Sequence, residues 1–231
     1  MEQFHVLIYD DKGVADLMSN IVLPFIEEYI RNTLPNNTGL LGEMELYAKE
    51  NYVPIVHKEV GVLLQVLTKA TNAKKVLEIG TAIAYSTLLF CEAMGDDGHV
   101  TTIERDEKRI LQAKANIEKA NRDQNITLIE GDATEVLKGI KGTYDLIFLD
   151  GAKGHYKDFL NDCINLLNSG GILVSDNTLY KGMVATDELV VRRQKTIVNR
   201  MREYLVYICN HPQLDTSIIP IGDGLTISYK K

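Results

Sequence analysis

The chain has 231 residues, 45% of them hydrophobic, with only 5 Pro and a formal net charge of −7. This is apolar content for one large α/β domain with a buried core, and it excludes a disordered chain or a protein that coats nucleic acid by bulk positive charge. No apolar run approaches the roughly 20 residues that span a bilayer, no signal peptide is visible before Asp10-Asp11, and Cys91, Cys163 and Cys209 are too scattered for a disulfide framework or a metal cluster, so a cytoplasmic protein with reduced, buried thiols is expected.

Residues 1–17 carry no periodicity and read as a loosely attached extension, with a single domain over 18–231. Helices are expected over 21–33, 39–51 and 57–69, interrupted by Leu34-Pro35-Asn36-Asn37 and by Val53-Pro54. From Lys75 the rhythm changes to short apolar runs alternating with amphipathic segments. Strands are expected at 75–79, 100–103, 126–130, 144–149 and 171–175, with helices at 85–94, 106–121, 133–139 and 154–167 between them. A long helix over 187–209 then leads to two strands, Asp215–Ile221 and Leu225–Tyr229, turned by Gly222-Asp223-Gly224. The sum is a seven-stranded, mostly parallel sheet with helices on both faces and one reversed strand in a C-terminal hairpin.

Two strand ends carry the strongest chemical signal. Asp150-Gly-Ala-Lys153 follows one buried run and Asp176-Asn177 follows another. Ligands of open α/β sheets bind at the carboxyl ends of the strands. Two carboxylates and an amide oxygen there make an all-oxygen donor set suited to Mg²⁺ or a similar hard cation. Lys153 stands where a base beside that cation would be useful. Each residue alone is as readily a strand-end cap or turn residue; the combination favours a metal-assisted site.

The first strand turns into its helix through Glu78-Ile-Gly80-Thr-Ala-Ile-Ala-Tyr-Ser86. Gly80 permits a tight turn and close backbone approach. A dinucleotide fingerprint needs two further glycines, but Ala82 and Tyr85 occupy those positions, which disfavours a nicotinamide dehydrogenase. Glu104 ends the second strand, placed to accept ribose hydroxyls, and Asp132 and Ala133 follow the third, where an adenine edge can be met. Asp106 reads as the N-cap of the next helix. Between Lys181 and Arg202 stand Lys181, Arg192, Arg193, Lys195, Arg200 and Arg202 against Asp187 and Glu188, a stretch that is either phosphate-facing or a solvated helix face.

Val76-Leu-Glu-Ile-Gly-Thr81, Thr102-Ile-Glu104, Leu149-Asp-Gly-Ala-Lys153 and Ser175-Asp-Asn177 resemble the cation-dependent O-methyltransferase family of catechol and caffeoyl-CoA type. The resemblance implies a Rossmann-like class I methyltransferase fold and S-adenosyl-L-methionine as methyl donor. It implies Asp150, Asp176 and Asn177 as ligands of Mg²⁺ or another divalent cation, and Lys153 as the catalytic lysine. It further implies a donor pocket of Val56, Glu78, Gly80, Ser86, Glu104, Asp132, Ala133 and Asp150, and a homodimer.

Within the family, Tyr52-Val-Pro-Ile55, Gly80-Thr-Ala-Ile83, Lys181-Gly182, Asn210-His-Pro212 and Ile219-Pro-Ile-Gly-Asp-Gly224 are most similar to the bacterial tRNA 5-hydroxyuridine methyltransferases. That likeness implies conversion of wobble 5-hydroxyuridine to 5-methoxyuridine, with Lys181, Arg192, Arg193 and Lys195 holding anticodon-loop phosphates of tRNA. Catechol and 5-hydroxyuracil both offer vicinal oxygens, so a small-molecule catechol or phenolic methyltransferase is the alternative. Ala84 stands where many relatives have glycine. His155 is expected on the following helix or at the entrance, and Tyr156 and Tyr180 either stack on a base or pack a lid.

Overall fold

The computed structural model describes residues 21–231, and the extension expected over 1–17 lies outside them. Three helices come first: α1 (Pro24–Thr33), α2 (Gly39–Glu50) and α3 (Lys58–Ala70). Pro24 opens α1, where its missing N–H costs no helical bond. There follow β1 (Lys75–Ile79), α4 (Tyr85–Met94), β2 (His99–Glu104), α5 (Glu107–Lys119), β3 (Ile126–Glu130), α6 (Ala133–Gly139) and β4 (Tyr144–Leu149). The chain ends with α7 (Tyr156–Leu166), β5 (Leu167–Ser175), α8 (Lys195–Cys209), β6 (Leu214–Ile219) and β7 (Leu225–Lys230). The seven strands form one sheet in the order β3-β2-β1-β4-β5-β7-β6, with β7 antiparallel to both of its neighbours. This is the expected mostly parallel sheet with one reversed strand.

The sheet is covered on both faces because successive side chains of a strand point to opposite sides. On β1, Val76 joins the core formed with α2, α3 and α4, whereas Leu77 and Ile79 join the core formed with α6, α7 and α8. Phe90 of α4 meets Phe148 of β4 edge-on at 5.7 Å in the first core. Tyr156 of α7 meets Tyr204 of α8 in the same way at 5.4 Å in the second. Asp106 caps α5 as expected, accepting from Arg109 N at 3.0 Å.

Helix α1 starts at Pro24 and not at Ile21, β5 starts at Leu167 and not at Gly171, and two further expectations need correction. The helix expected from 187 starts only at Lys195. Residues 187–194 form two short 3-10 turns, Asp187–Leu189 and Arg192–Gln194, with Val190 and Val191 extended between them. The physical reason is local competition: Thr186 Oγ1 accepts from Glu188 N, Asp187 is drawn to Arg202 at 2.7 Å, and two adjacent β-branched residues resist the helical turn. Cys91 and Cys163 are buried, but Cys209 is exposed at the end of α8.

Candidate active site

A cavity of about 570 Å³ runs along the carboxyl edge of the sheet. Its lining follows strand order: Gly131, Asp132 and Ala133 beyond β3, Glu104 and Arg105 at β2, Gly80 and Ala82 beyond β1, Asp150 to Lys153 beyond β4, Asp176 and Asn177 beyond β5, and Asp223 before the reversed β7. Backbone bonds continue the ladder past each strand end. Gly131 N donates to Glu104 O (2.8 Å), Gly80 N to Ile103 O (3.0 Å), Asp150 N to Ile79 O (2.9 Å) and Asp176 N to Leu149 O (2.9 Å). Each of these residues is therefore held at its origin by the neighbouring strand.

Two glycines set the middle of the cavity. A Cβ on Gly80 (φ +106°) would lie 2.8 Å from Gly151 N, and one on Gly151 would lie 3.0 Å from Gly80 Cα. The close approach that Gly80 permits is thus to the backbone beside Asp150, not only to a ligand. Left-handed backbone recurs around the site at Ala82, Ala84, Ala152, Asn177, Tyr180 and Lys181, a strained geometry that non-glycine residues keep where a site demands it. Ala84, buried at φ 68°, keeps there a conformation that glycine would adopt without penalty.

On the β1–β3 side, the Glu104 carboxylate is fixed by backbone N–H groups of Ala82 (2.9 Å), Arg105 (2.9 Å) and Asp106 (3.0 Å). Asp132 caps α6 through Thr134 N and pairs with Arg105 at 3.0 Å; these bonds, Thr134's first, hold its carboxyl below the usual range. Val56, Glu78 and Ser86, expected in the donor pocket, do not line the cavity in this structure. Glu78 is buried, and its carboxylate accepts from Ser86 (2.5 Å), Thr87 (2.5 Å) and Thr102 (2.6 Å). Lying between Leu77 and Ile79, it points to the α4 face, where the hydroxyls of the first turn meet it. Burial raises its pKa, opposed by those three bonds. Its observed work is to lock α4 onto the ends of β1 and β2.

On the β4–β7 side, Asp150 and Asp176 both line the cavity, Asp176 the more deeply buried of the two. Burial, and then the Asp176 charge, lifts the Asp150 carboxyl well above its usual range; burial pushes Asp176 up to about 6. Among the described residues the Asp176 carboxylate accepts only from Asn177 N, at 2.7 Å. Two facing carboxylates with so few donors, and an Asn amide beside them, have the composition a hard divalent cation requires. The residues therefore fit the cation that the resemblance implies. Among the described residues no group of three or more His, Cys, Asp or Glu side chains is arranged to hold a metal, so this mixed set is the candidate. Lys153 lies in the same cavity, its charge acting on Asp150, Asp176 and Asp223.

Tyr156 does not stack on anything in the cavity. It is buried, and its hydroxyl donates to Leu149 O (2.9 Å) and Asp176 O (3.2 Å), tying the ends of β4 and β5 together beneath the two carboxylates. Burial first, then the Asp150 and Asp176 charges, raises its pKa, so it stays a donor. Tyr180 is half-buried outside the lining. His155 sits at the start of α7, bonded to Asp158 at 2.9 Å and away from the cavity.

Of the basic stretch, only Lys181 lines the cavity. Arg200 donates to Gly154 O (3.1 Å), and Arg202 donates to Val184 O (2.9 Å) and Met183 O (3.0 Å) besides pairing with Asp187. Those two arginines clamp the loops beyond β4 and β5 onto α8, so they are structural. Arg192, Arg193 and Lys195 are exposed and form no ion pair among the described residues.

Among the cavity residues that sequence reasoning did not assign to the site are Arg105, Arg109, His57 and Asp223. Asp223 belongs to a turn expected only to reverse the chain. Gly222 (φ +54°) packs against Val60 and His57, and Gly224 (φ +83°) against Leu179, which aims the aspartate between them at the site. His57 lies at the other side of that turn, its Nδ1 3.1 Å from Arg31 Nη2. An aspartate flanked by two glycines ahead of a strand was the available signal.

The O-methyltransferase family profile matches residues 37–231. The chain belongs to the O-methyltransferase family. Among curated relatives of this O-methyltransferase, an Arabidopsis thaliana protein provisionally assigned as a caffeoyl-CoA O-methyltransferase is 32% identical over 218 residues, 87% of this chain and 91% of its own. A crystal structure from Staphylococcus aureus with the same provisional assignment is 34% identical, with a TM-score of 0.85 over 90% of this chain and 100% of that one. The O-methyltransferase of Bacillus cereus, solved in complex with SAH, is 25% identical with a TM-score of 0.79, covering 90% and 97% of the two chains. The Rossmann-like methyltransferase fold expected from the sequence is shared with these structures.

Proposed function

We propose that this O-methyltransferase uses S-adenosyl-L-methionine and a divalent cation such as Mg²⁺ to methylate 5-hydroxyuridine at the wobble position of tRNA. The observation that carries the reading is the order of groups along the cavity. Glu104, Asp132 and Ala133 lie at one end, suited to an adenosine, and Asp150, Asp176, Asn177 and Lys153 lie toward the other, suited to an oxygen acceptor. The SAH complex of the Bacillus cereus relative supports the donor assignment. Glu104 would accept from the ribose hydroxyls and Asp132 from the adenine, while the Gly80–Gly151 contact keeps the donor and acceptor ends in fixed register.

The cation, held by Asp150, Asp176 and Asn177, would supply charge stabilisation to an acceptor hydroxyl that ionises as it attacks. Lys153, as the free amine, takes the proton from that hydroxyl, and the acceptor oxygen attacks the sulfonium methyl in line as the donor's sulfur leaves with the bonding pair. The choice of tRNA rests on Arg192, Arg193 and Lys195, exposed beyond the acceptor end, with Lys181 in the lining, and on the sequence likeness of the Gly222-Asp223-Gly224 region. Arg192, Arg193 and Lys195, exposed and without an ion pair among the described residues, suit phosphates of an anticodon loop. The Arabidopsis relative's assignment favours the second reading, a catechol or phenolic acceptor on the same residues.

The test is transfer of labelled methyl to tRNA carrying 5-hydroxyuridine, compared with free catechol. The tRNA should be methylated in Mg²⁺ and not in chelator. Arg192→Ala combined with Arg193→Ala should weaken tRNA use and flatten its salt dependence. Faster turnover of catechol than of the modified tRNA would overturn the assignment. For assembly the proposal is a homodimer, checked by light scattering.

A further inference from the structure

We propose that Asp223 is a specificity-determining residue that accepts a hydrogen bond from the N3–H of the uracil ring. This inference rests on the hydroxyuridine reading above. Asp223 is 8% exposed, lines the cavity with Asp176 and Asn177, and uses Oδ1 to accept from Lys181 N. Its Oδ2 has no hydrogen bond among the described residues. Three features hold that carboxylate in place: the packed glycines on either side, the bonds from Thr178 N to Gly224 O (2.9 Å) and Leu179 N to Asp223 O (3.1 Å), and the pairing of Ser175 with Thr226.

The direction follows from the sheet. The methyl donor lies toward β1, β2 and β3, so the attacked O5 must face that way. O4, the other vicinal oxygen, then lies farther along toward β5. The next ring atom past C4 is N3, whose N–H continues in the same direction, and the next strand in that direction is β7, which Asp223 precedes. A catechol bound by its two oxygens presents a C–H at that place and offers Asp223 nothing. A buried carboxylate facing C–H loses hydration without replacement, so the group that favours a uracil also disfavours a catechol.

The experiment compares wild type with Asp223→Ala and Asp223→Asn on three acceptors: an anticodon stem-loop bearing 5-hydroxyuridine, the same stem-loop with N3-methylated 5-hydroxyuridine, and catechol. A hydrogen bond to a charged acceptor leads us to expect that Asp223→Ala lowers kcat/KM for hydroxyuridine roughly 10- to 100-fold more than for catechol. Wild type should discriminate against the N3-methyl acceptor by a similar factor, and Asp223→Ala should lose most of that discrimination. Equal losses on hydroxyuridine and catechol would assign Asp223 to holding the Lys181 loop and overturn the proposal. So would a wild type indifferent to N3-methylation. A wild type that methylates catechol and no hydroxyuridine RNA would overturn the tRNA reading itself, a result distinct from either.

Discussion

Replacing Tyr156 with Phe removes one oxygen from beneath the two candidate cation ligands and leaves the rest of the residue in place. The ring keeps its edge-on contact with Tyr204 at 5.4 Å, so no cavity term enters. Of the two carbonyls the hydroxyl serves, Leu149 O still accepts from Asp176 N at 2.9 Å and stays satisfied. Asp176 O loses the 3.2 Å bond and is left in a buried setting. One net hydrogen bond plus one poorly satisfied carbonyl gives an expected loss of about 1–3 kcal/mol, or roughly 2–4 °C in Tm for each kcal/mol in a protein of this size. The lost tether joins the ends of the strands that carry Asp150 and Asp176. The concentration of Mg²⁺ needed for half-maximal methyl transfer should therefore rise, by up to about 10-fold, as for outer groups that orient metal ligands. Urea unfolding and a Mg²⁺ titration of initial rates measure the two effects. A variant with lowered stability and an unchanged Mg²⁺ requirement would refute the idea that this tether sets the spacing of the carboxylates.

Three further outcomes are expected. Asp176→Ala should nearly abolish cation-stimulated transfer while calorimetry still detects donor binding; normal rates would remove Asp176 from the ligand set. Gly80→Ala places a Cβ 2.8 Å from Gly151 N on a residue with φ +106°, and should cost about 2–4 kcal/mol in denaturant unfolding, whereas a loss under ~1 kcal/mol would mean the seam relaxes easily. Burial, the largest single influence, would lift the Glu59 carboxyl, but the bonds from Arg31 at 2.8 and 2.9 Å, the bond from its own backbone N–H and the nearby Arg31 and His57 charges together outweigh it and hold the group below 4.5. Its stabilising contribution is then complete above about pH 4.5 and disappears as pH falls through the lower folded value. The gap in urea midpoint between wild type and Glu59→Gln should be constant near neutrality and narrow in acid, and a gap that widens there would contradict the sign.

The parts of the fold legible in the sequence were those governed by local pattern. β1, α4, β3, α6 and β4 begin and end where apolar periodicity places them, because β1 and β4 are short and almost wholly buried, β3 is a compact run rich in β-branched residues, and each break carries a turn residue. The start of α8 was not legible, since the Arg202–Asp187 pair and its effect on the intervening residues exist only after α8 has docked. The same limit explains Glu78 and Tyr156. Their sequence positions adjoin the site, but their partners come from α4, β2 and the strand ends. Asp223 was obscured differently, because a glycine-rich turn explains itself, and only the strand order reveals that this turn borders Asp176 and Asn177.

The clamp of Arg200 and Arg202 divides the molecule into parts with different freedom to diverge. The loops beyond β4 and β5 are fastened to α8 by those two side chains, and Asp187 is held by Arg202, whereas residues 188–194 lie outside that fastening with exposed charge. On the proposed reading of Arg192 and Arg193, a new acceptor would be recruited by rewriting that one external segment, without disturbing the glycine seam or the carboxylates. Grafting 188–194 between family members should accordingly change the acceptor preferred, and Arg202 with Asp187 and its carbonyl partners marks where such a graft should stop.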